Sequence, residues 1–461
     1  MKSILSLLLS LLLVSWAQGQ ISDPEITQWI INTTGITGQH YVSGNSTPIS
    51  DTAKANVQKI RYSNDNVYVN CSGIPSYIIG PYLDGNPAMA TNNNWLFQIP
   101  RNPVKNSGTL TETPLGPIGV FINGVPIYDY KDGYSYNNEG VWNRDAIVAE
   151  NDGFDCAKGH PSPIFSGPPG PGGTLEGGSY HHHQNPTAFN LDLQQVSNVC
   201  DLYLADGLYA MDSTKHSPLL GYAFDGYPVY GAFAHANTDG TGGIKRMVSG
   251  YELRNITTRT TYANGQSVSA GPVVDATYPL GFFREDYEFT GNGDLDEYNG
   301  RFAITPEYPG GTYAYYTTVD EFWNSAYPYV VGPEYYGVVE EDNFVAMGGQ
   351  NSVSISETVD TYDPSGGTTS TENAANQDYK ILIYPNPATD FIAVQALGNL
   401  VKEEIKISLF SMDGRLVQSK IIQPGSTINY LDTRTCYNGE YLIRVERSGQ
   451  SQVHRIVIYR D

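Results

Sequence analysis

The chain has 461 residues and a formal net charge of −22, more length than one hydrophobic core usually holds, so two domains are expected. Its acidity excludes a nucleic-acid partner, whose phosphates need a basic face, and an electrostatic grip on anionic lipid. Tyr, Gly, Pro and Asn are abundant while Lys, Glu and Ala are sparse over the first 345 residues, a strand-and-turn composition that predicts an all-β fold.

Lys2 followed by the apolar run Ile4 to Trp16 reads as a secretory signal, too short to span a bilayer, with Ala17-Gln18-Gly19 as the cleavage site and Gln20 as the expected mature start. No later run is apolar and long enough to cross a membrane, so no transmembrane segment is expected after signal removal. From residue 20 to 345 the pattern predicts one large β-rich domain of two sheets. Val67-Tyr68-Val69, Tyr77-Ile78-Ile79 and Trp95 to Ile99 are short apolar stretches bounded by Pro, Gly and Asn, as strands are. Gly119 to Tyr128 aligns without gaps on Gly221 to Tyr230; each copy reads strand, Asn-Gly or Asp-Gly turn, strand. Those dipeptides predict type I′ hairpins, and the match suggests either two halves of one double-sheet architecture or independent hairpin convergence. Short helices are expected over Asn185 to Val199 and Thr318 to Trp323.

Five of the eight histidines lie between His160 and His216, three of them consecutive at His181-His182-His183, and Cys156 and Cys200 bracket the triplet. A Cys156–Cys200 disulfide suits an exported protein, with Cys71 an equally legal partner and Cys436 unpaired. On an extended strand His181 and His183 share one face, and Tyr180 and His182 the other. A His-x-His pair can offer two imidazoles to one metal ion. His160 and His216 are the candidate third and fourth ligands, and Asp225 or Asp155 can complete the shell or orient a ring. Three or four imidazoles suit copper or zinc better than calcium or magnesium. The competing readings are a buried hydrogen-bond network that locks loops together and a metal-free acid/base site. No Glu follows the His pair as a cupin requires, only one His-x-His occurs, and H-E-x-x-H and G-x-S-x-G are absent. Asn292, Asp294 and Asp296 have the spacing of a calcium loop, but Glu297 and Ala303 stand where an EF-hand needs Gly and Glu, so a solvated acidic loop is expected. The tyrosines from Tyr308 to Tyr316 either line a sugar-binding face or fill the space between sheets.

Residues 346–378 are rich in Gly, Ser and Thr with no Lys or Arg, and read as a flexible linker. Over 379–461 a compact strand pattern returns, predicting a small antiparallel β-sandwich. Tyr384-Pro385-Asn386-Pro387, Asp413-Gly414-Arg415, Tyr437-Asn438-Gly439-Glu440-Tyr441 and the last strand resemble the C-terminal sorting domain of type IX secretion cargo. The resemblance implies recognition by the type IX secretion machinery, export across an outer membrane to the cell surface or medium, and removal of this domain. Cys436 departs from that pattern.

The segment around the histidines resembles the YHYH-domain family, named for a Tyr-His-Tyr-His motif. Here it reads Tyr180-His181-His182-His183, with His182 in place of the second Tyr. Thr113 to Gly119, His160-Pro161, Gly221 to Tyr230, Asn299-Gly300-Arg301 and Thr305 to Pro309 support the resemblance, which spans most of residues 50–330. It implies the domain and no established activity. The sequence therefore predicts an exported two-domain protein with a copper or zinc site at His160, His181, His183 and His216, aided by Asp225. The alternative is a surface adhesin or glycan-binding module with structural histidines; substrate and catalytic residues stay unassigned.

Overall fold

The computed structural model describes residues 22–85, 88–166, 174–195, 197, 199–203, 206–345, 350–364, 379–384, 388–398, 405–412, 415–422, 428–447 and 450–460. The expected signal peptide lies outside them, as do the Pro385 to Pro387 and Asp413-Gly414 turns. The chain divides into two compact units, Met1–Gly366 and Gly367–Asp461. Among the described residues no helix is long and apolar enough to cross a membrane.

Strand patterning builds the large unit. Trp95–Pro100 alternates buried and partly exposed positions, sending Trp95, Phe97 and Ile99 inward. This strand pairs antiparallel with Asn66–Cys71, which pairs with Val57–Tyr62. A six-stranded sheet runs in the spatial order Gly300–Ala303, Thr312–Tyr316, Pro228–Tyr230, Leu219–Ala223, Pro117–Phe121, Pro126–Tyr128. Its strands are short, and the three central ones, Pro228–Tyr230, Leu219–Ala223 and Pro117–Phe121, are buried on both faces. Both sheets feed one apolar core: Val57, Ile60, Val69 and Phe97 from the first meet Val120, Phe121, Tyr222, Val229 and Tyr315 from the second. The two-sheet expectation describes this centre, around which further short ribbons are attached.

The two matching hairpins lie side by side in the six-stranded sheet, joined antiparallel through Gly119–Phe121 and Gly221–Ala223. Their turns are not type I′. Asn123 and Asp225 are absent from the positive-φ residues, and only Gly124 (φ 79°) and Gly226 (φ 86°) are left-handed. Gly124 N–H bonds the Phe121 carbonyl and Gly226 N–H the Ala223 carbonyl, which is the type I turn with a glycine bulge. The Asn123 and Asp225 side chains accept from Val125 N–H and Tyr227 N–H, two residues on, in each turn.

Neither expected helix forms. Over 185–199 the described chain has a 3₁₀ turn at Phe189–Leu191 and the start of another at Val199–Asp201, and Leu193 N–H bonds the Phe322 carbonyl instead of closing a helical turn. Thr318 to Trp323 enters a tight turn in which Asp320 Oδ1 accepts from Phe322 and Asn324 N–H, with a bridge between Val319 and Ser325. Part of the expected linker is also structured. Asp360–Thr361 extends the first sheet against Val57–Tyr62, and Glu357 accepts from Tyr68 Oη at 2.7 Å and Asn66 Nδ2 at 2.9 Å. Residues 365–378 lie outside the described set.

The small unit has a three-stranded sheet (Tyr379–Tyr384, Phe391–Gly398, Ile428–Asp432) and a four-stranded one (Leu416–Ile422, Ile405–Ser411, Gly439–Arg447, Gln450–Ile458). Among the described residues these strands pair antiparallel, with one isolated parallel bridge between Ala388 and Ile458. Ile392, Val394 and Leu431 of one sheet share a core with Ile407, Leu409, Ile443 and Ile456 of the other, as the sandwich expectation requires.

Candidate metal centre

The site is built at the end of an antiparallel ribbon, His160–Ser166 against Thr174–His181, whose register sets His160 opposite His181. The chain leaves the ribbon through His182, which bridges in parallel to Ile127 of the first hairpin, and this brings in His183. Strand alternation holds. Tyr180 and His182 face one side, where Tyr180 Oη donates to Asp155 and Tyr77 Oη lies 2.6 Å from His182 Nε2. On the other side His160, His181 and His183, all buried, bring one ring nitrogen each to within 4.8 Å of the others.

Their hydrogen bonds fix the tautomers. His181 Nδ1 lies 2.8 Å from the Ser179 carbonyl, and His183 Nδ1 bonds the Asp129 carbonyl. A carbonyl only accepts, so both Nδ1 atoms carry protons and each neutral ring keeps its lone pair on Nε2. The two Nε2 atoms then face each other at 3.0 Å. Two lone pairs at that distance repel unless a cation lies between or beside them. Zinc ligands at about 2.0–2.1 Å in a tetrahedron stand about 3.3 Å apart, within a few tenths of what is found.

Glu150, which sequence reasoning missed, supplies negative charge. Its Oε2 is 3.0 Å from His160 Nε2 and 3.2 Å from His183 Nε2. Burial alone would raise its pKa, but the hydrogen bonds and charge of His160 and His183 outweigh burial and hold it ionised, well below the usual carboxylate range. Burial opposes a charge on His183, yet Glu150 overrides it and raises that pKa. His181 is pushed well below its ordinary value by burial, then by its two histidine neighbours, and stays neutral. Glu150 follows a four-residue helix, Ala146–Ala149, capped by Asp145 through Ile147 and Val148 N–H; its distance from the histidines in sequence carries no recognisable ligand spacing.

Tyr128, also missed, lies parallel to His181 with centroids 3.7 Å apart and 15° between planes, and meets His183 edge-on at 5.8 Å. It fixes the His181 ring that Ser179 already orients. The triad opens onto a cavity of about 760 Å³ whose wall includes Trp95, Pro114, Leu115, Pro163 and Val345, with Lys131 as its cation.

Two of the expected ligands are placed elsewhere. His216 is absent from the cluster of donors; its Nδ1 bonds the Ser217 carbonyl at 2.7 Å and its ring packs on Tyr230 and His235. Asp225 is held in its hairpin turn, accepting from Tyr315 Oη at 2.6 Å, Gly337 N–H at 2.8 Å and Tyr227 N–H at 3.3 Å. Asp155 likewise is taken up by Gly80 N–H, Gly159 N–H and Tyr180 Oη. In the acidic loop Asp294 pairs with Lys245, and Asp296 accepts from Tyr298 N–H, Gly300 N–H and Tyr313 Oη. Tyr313, Tyr315 and Tyr316 are at most 3% exposed and fill the core, so they present no face to a glycan. The disulfide joins Cys156 to Cys200, and Cys71 and Cys436 are free.

Comparison with known proteins follows the same division of the chain. The family model described as YHYH protein matches residues 96–328, just over half the chain and all three clustered histidines. The model described as Secretion system C-terminal sorting domain matches residues 382–459. No curated protein matches. Among solved structures, dimeric latent PorU from Porphyromonas gingivalis is similar at 18% identity over 19% of this chain, with a TM-score of 0.16. That similarity spans 10% of the PorU chain.

Proposed function

This chain belongs to the YHYH protein family and ends in a type IX secretion sorting domain, and from that premise we propose that it is an exported metalloprotein holding one copper or zinc ion at His160, His181 and His183. One observation carries the reading: two imidazoles, each committed through Nδ1 to a backbone carbonyl, aim their Nε2 lone pairs at one another across 3.0 Å. Imidazole orientation by an accepting group on the far nitrogen is the usual support of a metal-bound histidine. Three nitrogen donors leave a position for substrate or water, as catalytic rather than structural zinc sites do.

A bound divalent ion would supply Lewis acidity at the floor of the cavity. The protein's own groups would do the rest. Ser179 and Asp129 carbonyls and the Tyr128 ring hold the imidazoles still. Glu150, kept ionised beside His160 and His183, is placed to take a proton from a group bound next to them. The cavity volume suits a small organic molecule. Asp225 and His216 have no part in this reading.

Plasma mass spectrometry of the full exported chain, produced in an oxidising compartment, tests it against a His181→Ala/His183→Ala variant. A single equivalent of copper or zinc in the parent, lost in the variant, is expected. An absence of metal from the parent, and from the parent after titration with either ion, refutes it and makes the triad a proton-holding structural cluster.

A further inference from the structure

The resemblance between the two hairpins extends far beyond the ten residues visible in sequence. Each hairpin has the same register and the same irregularity: Pro117 pairs with Tyr128, Gly119 with Ile127 and Val120 with Pro126, while Leu219 pairs with Tyr230, Gly221 with Val229 and Tyr222 with Pro228. Where the hairpins meet, Val120 pairs with Tyr222, its own counterpart, so a pseudo-twofold axis passes between them. Ile122 N–H bonds the Leu220 carbonyl, and Phe224 N–H returns the same bond to Ile118. Beyond the hairpins, Asp129 N–H to the Gly116 carbonyl is repeated by Gly231 N–H to Pro218, and Ala146 N–H to Tyr130 by Met247 N–H to Ala232.

The correspondence reaches the ribbon that carries the histidines. Ile127 bridges in parallel to His182, and Val229 to Tyr315. His160 stands opposite His181, and Arg301 opposite Ala314. The loop entering each ribbon is the same construction. Asp155 N–H bonds the Gly159 carbonyl, and Asp296 N–H the Gly300 carbonyl. The Asp155 carboxylate accepts from Gly159 N–H and Tyr180 Oη; that of Asp296 accepts from Gly300 N–H and Tyr313 Oη. Lys158 (φ 63°) and Asn299 (φ 66°) both take the left-handed conformation. A Cβ on Gly159 would fall 2.3 Å from Tyr180 Oη, and one on Gly300 2.3 Å from Tyr313 Oη.

We infer that the large domain is a tandem duplication, and that its second half carries a closed counterpart of the metal site. Arg301 there takes the place of His160, Ala314 that of His181 and Tyr316 that of His183. This rests on the metal reading of the first site. The backbone that orients the ligands is present in both halves. What differs is the side chains: a guanidinium, stacked 5.5 Å over the Tyr316 ring, supplies a fixed positive charge where the first half would hold an ion. Its NH2 is tied to the His235 carbonyl. His216 and His235 pack together, ring centroids 5.4 Å apart, at the positions that Pro114 and Gly133 occupy beside the first cavity. Two small or cyclic residues leave the first site open, and two imidazoles fill the second. His216, the sequence's fourth candidate ligand, thus belongs to the other copy. Chemistry is confined to one half, and the second half works as scaffold.

The test is to rebuild the lost site in the full chain with Arg301→His/Ala314→His/Tyr316→His, in which two large-to-smaller changes offset one small-to-large change. Cobalt(II) absorption and metal stoichiometry are measured on the parent, on this triple variant, and on the triple variant combined with His181→Ala/His183→Ala. One, two and one equivalents are expected. One equivalent in the parent and still one in a folded triple variant overturns the duplication of the site. No equivalent in the parent overturns the metal reading itself, which separates the two failures. Should the triple variant not fold, Arg301→His/Tyr316→His only removes volume and supplies two of the three donors. It is expected to take up a second, weaker equivalent, and an unchanged titration counts against the inference.

Discussion

The disulfide gives the sharpest stability prediction. Cys156 and Cys200 are 44 residues apart with Cα atoms 5.2 Å from each other, and the loop they close contains His160, His181 and His183. In the chain-entropy model a loop of that length removes ~13 cal/mol/K from the unfolded chain, or ~4 kcal/mol of stability at 25 °C. Cys156 is buried with Phe154, Phe189 and Val199, so its replacement by Ala exchanges one small apolar group for another and adds little beyond the lost cross-link. Every tryptophan (Trp16, Trp29, Trp95, Trp142 and Trp323) precedes residue 366, so tryptophan fluorescence reports the large unit without interference from the small one. Urea unfolding of Cys156→Ala/Cys200→Ala, in chelator, is expected to show ~4 kcal/mol less stability with a slightly larger m-value, because the unlinked chain exposes more surface. Metal stoichiometry should persist, since ribbon register and not the cross-link sets the histidines. A loss below ~1 kcal/mol would refute the entropic argument, and loss of metal from a folded variant would refute the assignment of roles.

Three further outcomes are expected. Asp225 has its pKa raised to about 6 by burial, against the bonds from Tyr315, Gly337 and Tyr227 that favour its charge. A folded-state pKa above the unfolded value near 3.9 means that its stability contribution is complete below about pH 4 and lost as pH rises through about 6, a change of ~3 kcal/mol; Asp225→Asn should flatten the unfolding free energy over that window, and parallel curves for the two proteins would refute this. Lys158 and Asp192 form a buried pair at 2.6 Å. Lys158→Met leaves a carboxylate without its partner and should cost ~3–5 kcal/mol by urea denaturation, most of it recovered in Lys158→Met/Asp192→Leu; equal losses in both variants would show that packing dominates. Glu150→Gln keeps the three nitrogen donors and should weaken metal affinity ~10- to 100-fold in chelator competition without abolishing it, whereas complete loss would make Glu150 a ligand.

What the sequence discloses here is whatever depends on local period. Alternation put His181 and His183 on one face and Tyr180 and His182 on the other, and the ribbon obeys it. Asn-Gly and Asp-Gly located both hairpins, but not the turn type: only the glycine of each pair takes positive φ, and the dipeptide alone does not distinguish that turn from type I′. The helices at 185–199 and 318–323 failed because backbone donors there find partners outside a helical ladder: Leu193 N–H bonds the Phe322 carbonyl, and Thr318 N–H the Tyr329 carbonyl. Non-local pairing also hid Glu150 and Tyr128 and detached His216 and Asp225 from the site. Proximity in sequence joined these last two to the histidines, while the topology assigns them to the second half of the sheet.

The departure from the Tyr-His-Tyr-His motif can be understood by comparing the two halves. Tyr315, the counterpart of His182, reaches Asp225 directly with its hydroxyl at 2.6 Å. Asn123 stands where Asp225 does, and an imidazole at 182 is too short to span the same gap. Tyr77 fills it: its hydroxyl lies 2.6 Å from His182 Nε2 and bonds Asn123, so the chain of polar contacts from ribbon to hairpin is kept with one more member. His182 Nδ1, at 3.0 Å from the Lys158 carbonyl, carries the proton, which leaves Nε2 to accept from Tyr77 Oη. Burial holds His182 neutral by lowering its pKa to about 3. His182 is therefore a brace between ribbon and hairpin, while His181 and His183, on the opposite face, are the residues on which the metal proposal rests.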